Sequence, residues 1–132
     1  MSDMLRLTWA DFDEAVAKLA PRISRTSPRY LYGIPRGGLC LAVALSHATG
    51  IPLSTQAGPN CVIVDDIADT GTTLRQFDGA QKLVWVFRPR SLVNVRAALR
   101  LIRDDDRWLL FPWEKESNAD QDRDRYSVRR PK

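Results

Sequence analysis

The stretch Cys61–Leu74, CVIVDDIADTGTTL, constrains the fold more than any other part of this chain. Cys61–Val64 is apolar and rich in β-branched residues, too short for a helix and suited to a strand buried in a parallel sheet. Asp65 and Asp66 fall where that strand is expected to end, Asp69-Thr70-Gly71-Thr72-Thr73 makes a small polar loop, and a helix is expected from Leu74. This order builds an anion site, because unpaired backbone N–H groups of the loop and first helical turn face the ligand and the threonine hydroxyls add donors. Carboxylates repel phosphate, so the two acids need another partner. Ribose hydroxyls can donate to them, and a hard cation such as Mg²⁺ can bind them. The implied ligand carries a sugar and a phosphate together. A solvated turn after a buried strand would explain a bare D-x-x-G loop, but not the whole string.

The rest of the chain repeats the strand–loop–helix theme. Thr8-x-x-Asp11 reads as a capping box opening a helix, with Trp9, Phe12, Val16, Leu19 and Ile23 on its buried face and Pro21 ending or kinking it. Tyr30–Ile34 reads as a strand, Pro35-Arg36-Gly37-Gly38 as a glycine-rich turn, and Leu39–Thr49 as a buried helix stopped by Gly50. Adjacent glycines let backbone N–H groups come close to a ligand, and Arg36 can grip phosphate oxygens with two parallel hydrogen bonds. Ile51–Leu53 suits a short strand, Leu74–Phe77 a short helix and Lys82–Phe87 a further strand ending at Arg88-Pro89. Ser91–Arg103 fits either a strand or a helix face. Arg107–Glu114 is a compact apolar segment, and residues 117–132 read as a charged, mobile tail after a domain spanning 1–116. His47 reads as a packed or surface residue, and Cys40 and Cys61 as buried free thiols.

Alternating strands and helices imply an α/β fold, a doubly wound parallel sheet with flanking helices, in a single domain. The 132 residues suffice for one core. Neither a membrane-spanning run nor a signal-peptide core is present, which reads as a cytoplasmic protein. The net charge of +4 is mild, and the basic cluster Arg22, Arg25, Arg29 reads as solvated surface rather than a nucleic-acid face.

The central string resembles the phosphoribosyl-diphosphate signature of type I phosphoribosyltransferases: an apolar strand, two acids, two residues, then D-T-G-x-T. Residues 7–116 are similar to the xanthine-guanine branch, with Leu7-Thr8-Trp9, Arg36-Gly37-Gly38, the signature, Arg88-Pro89 and Trp108…Pro112-Trp113-Glu114 in that order. The resemblance implies purine phosphoribosyl transfer from phosphoribosyl diphosphate to guanine, xanthine or hypoxanthine, with Mg²⁺, in a possible homodimer. It assigns Thr70, Gly71, Thr72 and Thr73 to the 5′-phosphate, and Asp65 and Asp66 to the ribose and Mg²⁺. Arg36, Gly37 and Gly38 go to pyrophosphate and Asp69 to the proton at purine N7. Arg88, Trp108 and Leu109 go to the base, with core packing the lesser alternative for Trp108. The family's usual Lys is replaced by Arg88, and its long mobile loop is reduced to Pro52–Asn60, which leaves the site open to water on that side. The alternative is a catalytically weak phosphoribosyl-diphosphate or nucleotide-binding regulator, because binding needs the same loop.

Overall fold

A computed structural model describes residues 4–23, 30–77 and 79–116. The expected tail, and Arg25 and Arg29 of the basic cluster, lie outside the described residues. Arg22 is exposed, and its Nη1 donates to the Ala97 carbonyl at 3.1 Å.

In chain order the elements are β1 (Met4–Arg6), α1 (Trp9–Leu19), β2 (Tyr30–Gly33), α2 (Leu39–Thr49), β3 (Leu53–Ser54), β4 (Cys61–Ala68), β5 (Gln81–Phe87), β6 (Arg96–Arg100) and β7 (Trp108–Leu110). Single 3₁₀ turns cover Ala20–Arg22, Leu74–Phe77 and Pro89–Ser91. Five parallel strands form the main sheet in the order β3-β2-β4-β5-β6. β1 and β7 form a separate parallel pair in which Met4, Leu5 and Arg6 stand opposite Trp108, Leu109 and Leu110.

Local chemistry sets these boundaries. Thr8 caps α1 by accepting from the Asp11 N–H at 3.1 Å, while Asp11 accepts from the Thr8 N–H at 2.9 Å. The helix stops before Pro21, as expected. Gly50 ends α2 in the left-handed conformation, φ 78°. The pleat divides β4 between two cores. Val62 and Val64 pack with both helices, while Cys61 and Ile63 pack on the other face with Leu74, Val84, Val95 and Ala97. The segment Ser91–Arg103 contains a strand, β6, on the outer edge beside β5. His47 is exposed, Cys61 is buried, and Cys40 is only half-buried.

Three expectations are corrected. The β4 strand runs through the acids to Ala68 rather than ending at Val64, because β5 continues to pair with it as far as Ala68 opposite Phe87. The short helix expected over Leu74–Phe77 has those bounds but is a single 3₁₀ turn rather than an α-helix. Trp9 is not on the buried face. It remains 52% exposed and touches Phe12 and Trp113 from outside, at ring separations of 5.3 and 6.2 Å.

The aromatic centre of the core is Trp85, 2% exposed and packed against Phe12, Phe111 and Trp113 at 5.5, 5.5 and 6.0 Å. Removing such a ring leaves a cavity that close-packed neighbours fill poorly. Trp85→Ala is expected to cost about 3–5 kcal/mol in chemical denaturation, whereas Trp9→Ala should cost below about 1 kcal/mol. Equal losses would contradict this description of the core.

Candidate functional site

The site is built where β4 outruns its neighbour. The pairing of β2 with β4 ends at Gly33 opposite Val64, while β5 follows β4 four residues further, to Ala68. That overhang leaves a notch on the β2 side of Asp65–Ala68. The Arg36–Gly38 turn fills it. The Gly38 backbone packs on the Val64 carbonyl, where an added Cβ would stand only 2.4 Å from the oxygen. A Cβ on Gly37 would stand 2.1 Å from Asp66 Oδ2. The two glycines are therefore required by close approach, and the first expected ligand loop lies directly on the acidic edge of the second. Arg36 is exposed beside them, and the Pro35–Arg36 peptide is cis.

Asp65 and Asp66 are adjacent residues on this overhang. The Asp66 N–H donates to Asp65 Oδ1 at 2.9 Å, and the Ile67 N–H donates to Asp66 Oδ1 at 2.8 Å. Each residue is only partly covered, and the Gly37 backbone lies against the Asp66 carboxylate. Loss of solvent, and then the neighbouring Asp66 charge, push Asp65 up to about 8. Loss of solvent also pushes Asp66 up, against the bonds it receives from Asp65 and from backbone N–H groups. Two acids held close, with no ion pair to either among the described residues, suit a cation or a set of hydroxyl donors. Among the described residues no group of three or more His, Cys, Asp or Glu could hold a metal by itself. Mg²⁺ commonly takes only one or two protein carboxylates, with water and substrate oxygens completing its shell. The pair fits that requirement.

The polar loop follows. Gly71 is buried with φ 85°, and a Cβ there would stand 2.4 Å from the Ser91 carbonyl oxygen and 2.5 Å from Val93 Cγ2. Thr70, Thr72 and Thr73 are exposed around it, with Thr70 Oγ1 and Thr72 Oγ1 3.1 Å apart. The 3₁₀ turn brings the Arg75 N–H back to the Gly71 carbonyl at 3.0 Å. An anion here meets loop amides and hydroxyls, with little contribution from a helix dipole.

Asp69 opens into a cavity of about 700 Å³ shared with Asp66, Arg88, Arg90, Trp108 and Leu109. Of the residues singled out in the sequence, Asp66, Asp69, Arg88, Trp108 and Leu109 thus meet at one cavity, while Asp65, Arg36–Gly38 and Thr70–Thr73 do not line it. Trp108 and Leu109 are held in place by β1, which pairs with them across the far side of β7. Leu109 is buried and Trp108 partly so. Arg88 lines the cavity too, but its guanidinium braces the wall. Nη1 donates to the Asp105 carbonyl at 2.7 Å, Nη2 to the Arg107 carbonyl at 2.5 Å, and Nε stands 3.6 Å from Asp69 Oδ1. Asp105 is in turn gripped by Arg107 through Nε at 2.9 Å and Nη2 at 2.7 Å. That grip pulls Asp105 down to about 2.

Arg90 is a residue that sequence reasoning missed. It forks onto Asp69 Oδ1 through Nε at 2.8 Å and through Nη2. The only sequence signal was a second arginine two positions after Arg88, across Pro89.

The acid pair gives a pH prediction. Unfolded, Asp65 titrates near 3.8, and folded it keeps its proton to about 8. Between those values the native protein binds more protons than the unfolded chain, so stability falls as pH rises. The ligand-free protein is expected to lose stability from about pH 4 to about pH 8. Asp65→Asn should flatten that part of the profile in denaturant titrations. A wild-type profile without that decline would contradict the burial of the pair.

No family model matches this chain, and no curated protein matches it. Solved structures do. A purine phosphoribosyltransferase from Pyrococcus horikoshii is 32% identical over 86% of this chain and 95% of its own, with a TM-score of 0.73. The xanthine-guanine-hypoxanthine phosphoribosyltransferase of Helicobacter pylori shares the fold at 14% identity, covering 92% of this chain and 99% of its own, TM-score 0.65. A hypothetical protein from Neisseria gonorrhoeae, solved with bound ppGpp, shares it at 15% identity over 98% and 99%, TM-score 0.68.

Proposed function

This chain belongs to the type I phosphoribosyltransferase family, and from that premise we propose that it transfers the phosphoribosyl group of phosphoribosyl diphosphate to a 6-oxopurine. The products are a nucleoside monophosphate and pyrophosphate. The observation that carries this reading is the seating of the Gly37 backbone on the Asp66 carboxylate, at the edge of a cavity that Asp66 shares with Asp69 and Trp108.

The roles follow from the chemistry of each part. The Thr70–Thr73 loop offers amides and hydroxyls to the 5′-phosphate, and the Arg36–Gly38 turn offers a guanidinium and close backbone to pyrophosphate. Asp65 and Asp66 accept from the ribose hydroxyls and would hold Mg²⁺ at the sugar. Bound there, Mg²⁺ would neutralise the leaving pyrophosphate. As N9 of the base attacks C1′, the C1′–O bond to pyrophosphate breaks and its electron pair leaves with the oxygen. Positive charge builds on the ribose in between, where the carboxylates stabilise it. The N7 proton passes to Asp69. Trp108 presents a flat apolar face to the base.

A second reading, a nucleotide-binding regulator, draws on the short Pro52–Asn60 segment and on the Neisseria gonorrhoeae neighbour solved with ppGpp. The Ser54 hydroxyl ties Gln56 back at 2.8 and 3.1 Å, so little of this segment can reach over a sugar diphosphate. One assay separates the two. Labelled guanine, hypoxanthine, xanthine and adenine are incubated with phosphoribosyl diphosphate and Mg²⁺, and pyrophosphate is read. The proposal expects release with the 6-oxopurines. It further expects Asp69→Asn to lower kcat by about 10²–10⁴-fold, because an amide keeps the shape but takes no proton, while affinity for the nucleoside monophosphate stays near wild type. Full turnover in that variant would remove Asp69 from the role of base.

A further inference from the structure

Two arginines, Arg88 and Arg90, flank Pro89 at the cavity, and both reach Asp69. They are not equivalent. Arg88 has a side chain 12% exposed, and both of its terminal nitrogens hold the carbonyls of the 105–107 wall. It cannot turn toward a ligand without releasing that wall. Arg90 has a side chain 46% exposed, its Nε and Nη2 rest on Asp69, and no acceptor among the described residues meets its Nη1. The pair therefore presents a carboxylate acceptor with a guanidinium donor immediately beside it, at the cavity.

A 6-oxopurine carries the complement on one edge. Its N7–H donates, and its C6 carbonyl, next to it, accepts. We propose that Arg90, rather than Arg88, reads the oxo group of the base while Asp69 takes N7. Arg88 is a positioning residue that fixes the wall carrying Trp108. The inference rests on the phosphoribosyl-transfer reading above and deepens it. It also supplies discrimination. Guanidinium nitrogens only donate, so they satisfy a carbonyl but oppose the amino group of adenine. A site that leaves a donor facing a donor loses the bond and leaves a polar group unmatched.

Arg90→Gln and Arg90→Lys test this in the full chain, with kcat and KM measured for hypoxanthine and adenine at saturating phosphoribosyl diphosphate and Mg²⁺. Arg90 is on the surface, so both variants should fold, and thermal melts check that they do. For Arg90→Gln the expected result is a fall of about 10- to 100-fold in kcat/KM for hypoxanthine, the size of one charge-assisted hydrogen bond. The fall should come mainly through KM. Adenine should be unchanged or improved, because the Gln carbonyl accepts from its amino group. Arg90→Lys, which keeps a donor, should retain the preference for hypoxanthine. If Arg90→Gln keeps the wild-type ratio of hypoxanthine to adenine, this inference is overturned and the transfer reading stands. If the wild-type protein itself shows no preference for 6-oxopurines, both are overturned.

Discussion

A pair of carboxylates held against glycine backbone is the constraint on which the rest of this structure depends. Asp66 has room only because Gly37 lacks a Cβ, and Gly38 reaches the Val64 carbonyl for the same reason. The acids sit there because β4 continues past the end of β2 while staying paired to β5. The sheet thus creates an exposed strand end with one edge bonded and one edge open. A glycine turn from the preceding unit closes the open edge. Without a ligand the two acids are a local cost, visible in the upward push on both. Sites that concentrate such perturbed groups are where binding energy is recovered when charge or donors arrive.

The opposite wall is assembled by different means. β7 is only three residues long and would not stand alone, but β1 pairs with it in parallel and the Leu7 N–H extends the pairing to the Leu110 carbonyl at 2.9 Å. Arg88 and the Asp105–Arg107 pair then tie the preceding turn to the end of β5. The packing of Gly71 on Ser91 and Val93 links the polar Asp69–Thr73 loop to the same 3₁₀ turn that carries Arg90. The Thr70–Thr73 loop, Asp69 and the 105–107 wall are therefore all tied to the segment Arg88–Val93.

Much of this was legible in the sequence because the signals are local. The Thr8–Asp11 box, the run from Leu39 to Gly50 and the apolar Cys61–Val64 each fix an element through their own residues. Other features depend on distant partners. Aspartates are poor strand formers, so Asp65 and Asp66 read as a strand end, yet pairing with β5 keeps them in the strand. Trp9 has the spacing of a core residue, but the Phe12–Trp113 contact occupies the space inside it. The β1–β7 pair joins segments about a hundred residues apart through three residues each, below what periodicity can detect. Arg88 matched a family position and Arg90 matched nothing, so only the hydrogen-bond geometry distinguishes brace from available donor.

The central claim is spatial: phosphate loop, acid pair and cavity hold one continuous ligand. A crystal structure with guanosine monophosphate bound tests it most directly. The account predicts the 5′-phosphate on the amides and hydroxyls of Thr70–Thr73, the ribose hydroxyls toward Asp65 and Asp66, and the base against Trp108 with its N7 edge on Asp69. A nucleotide whose phosphate binds away from that loop, or whose base lies outside the cavity, would contradict it.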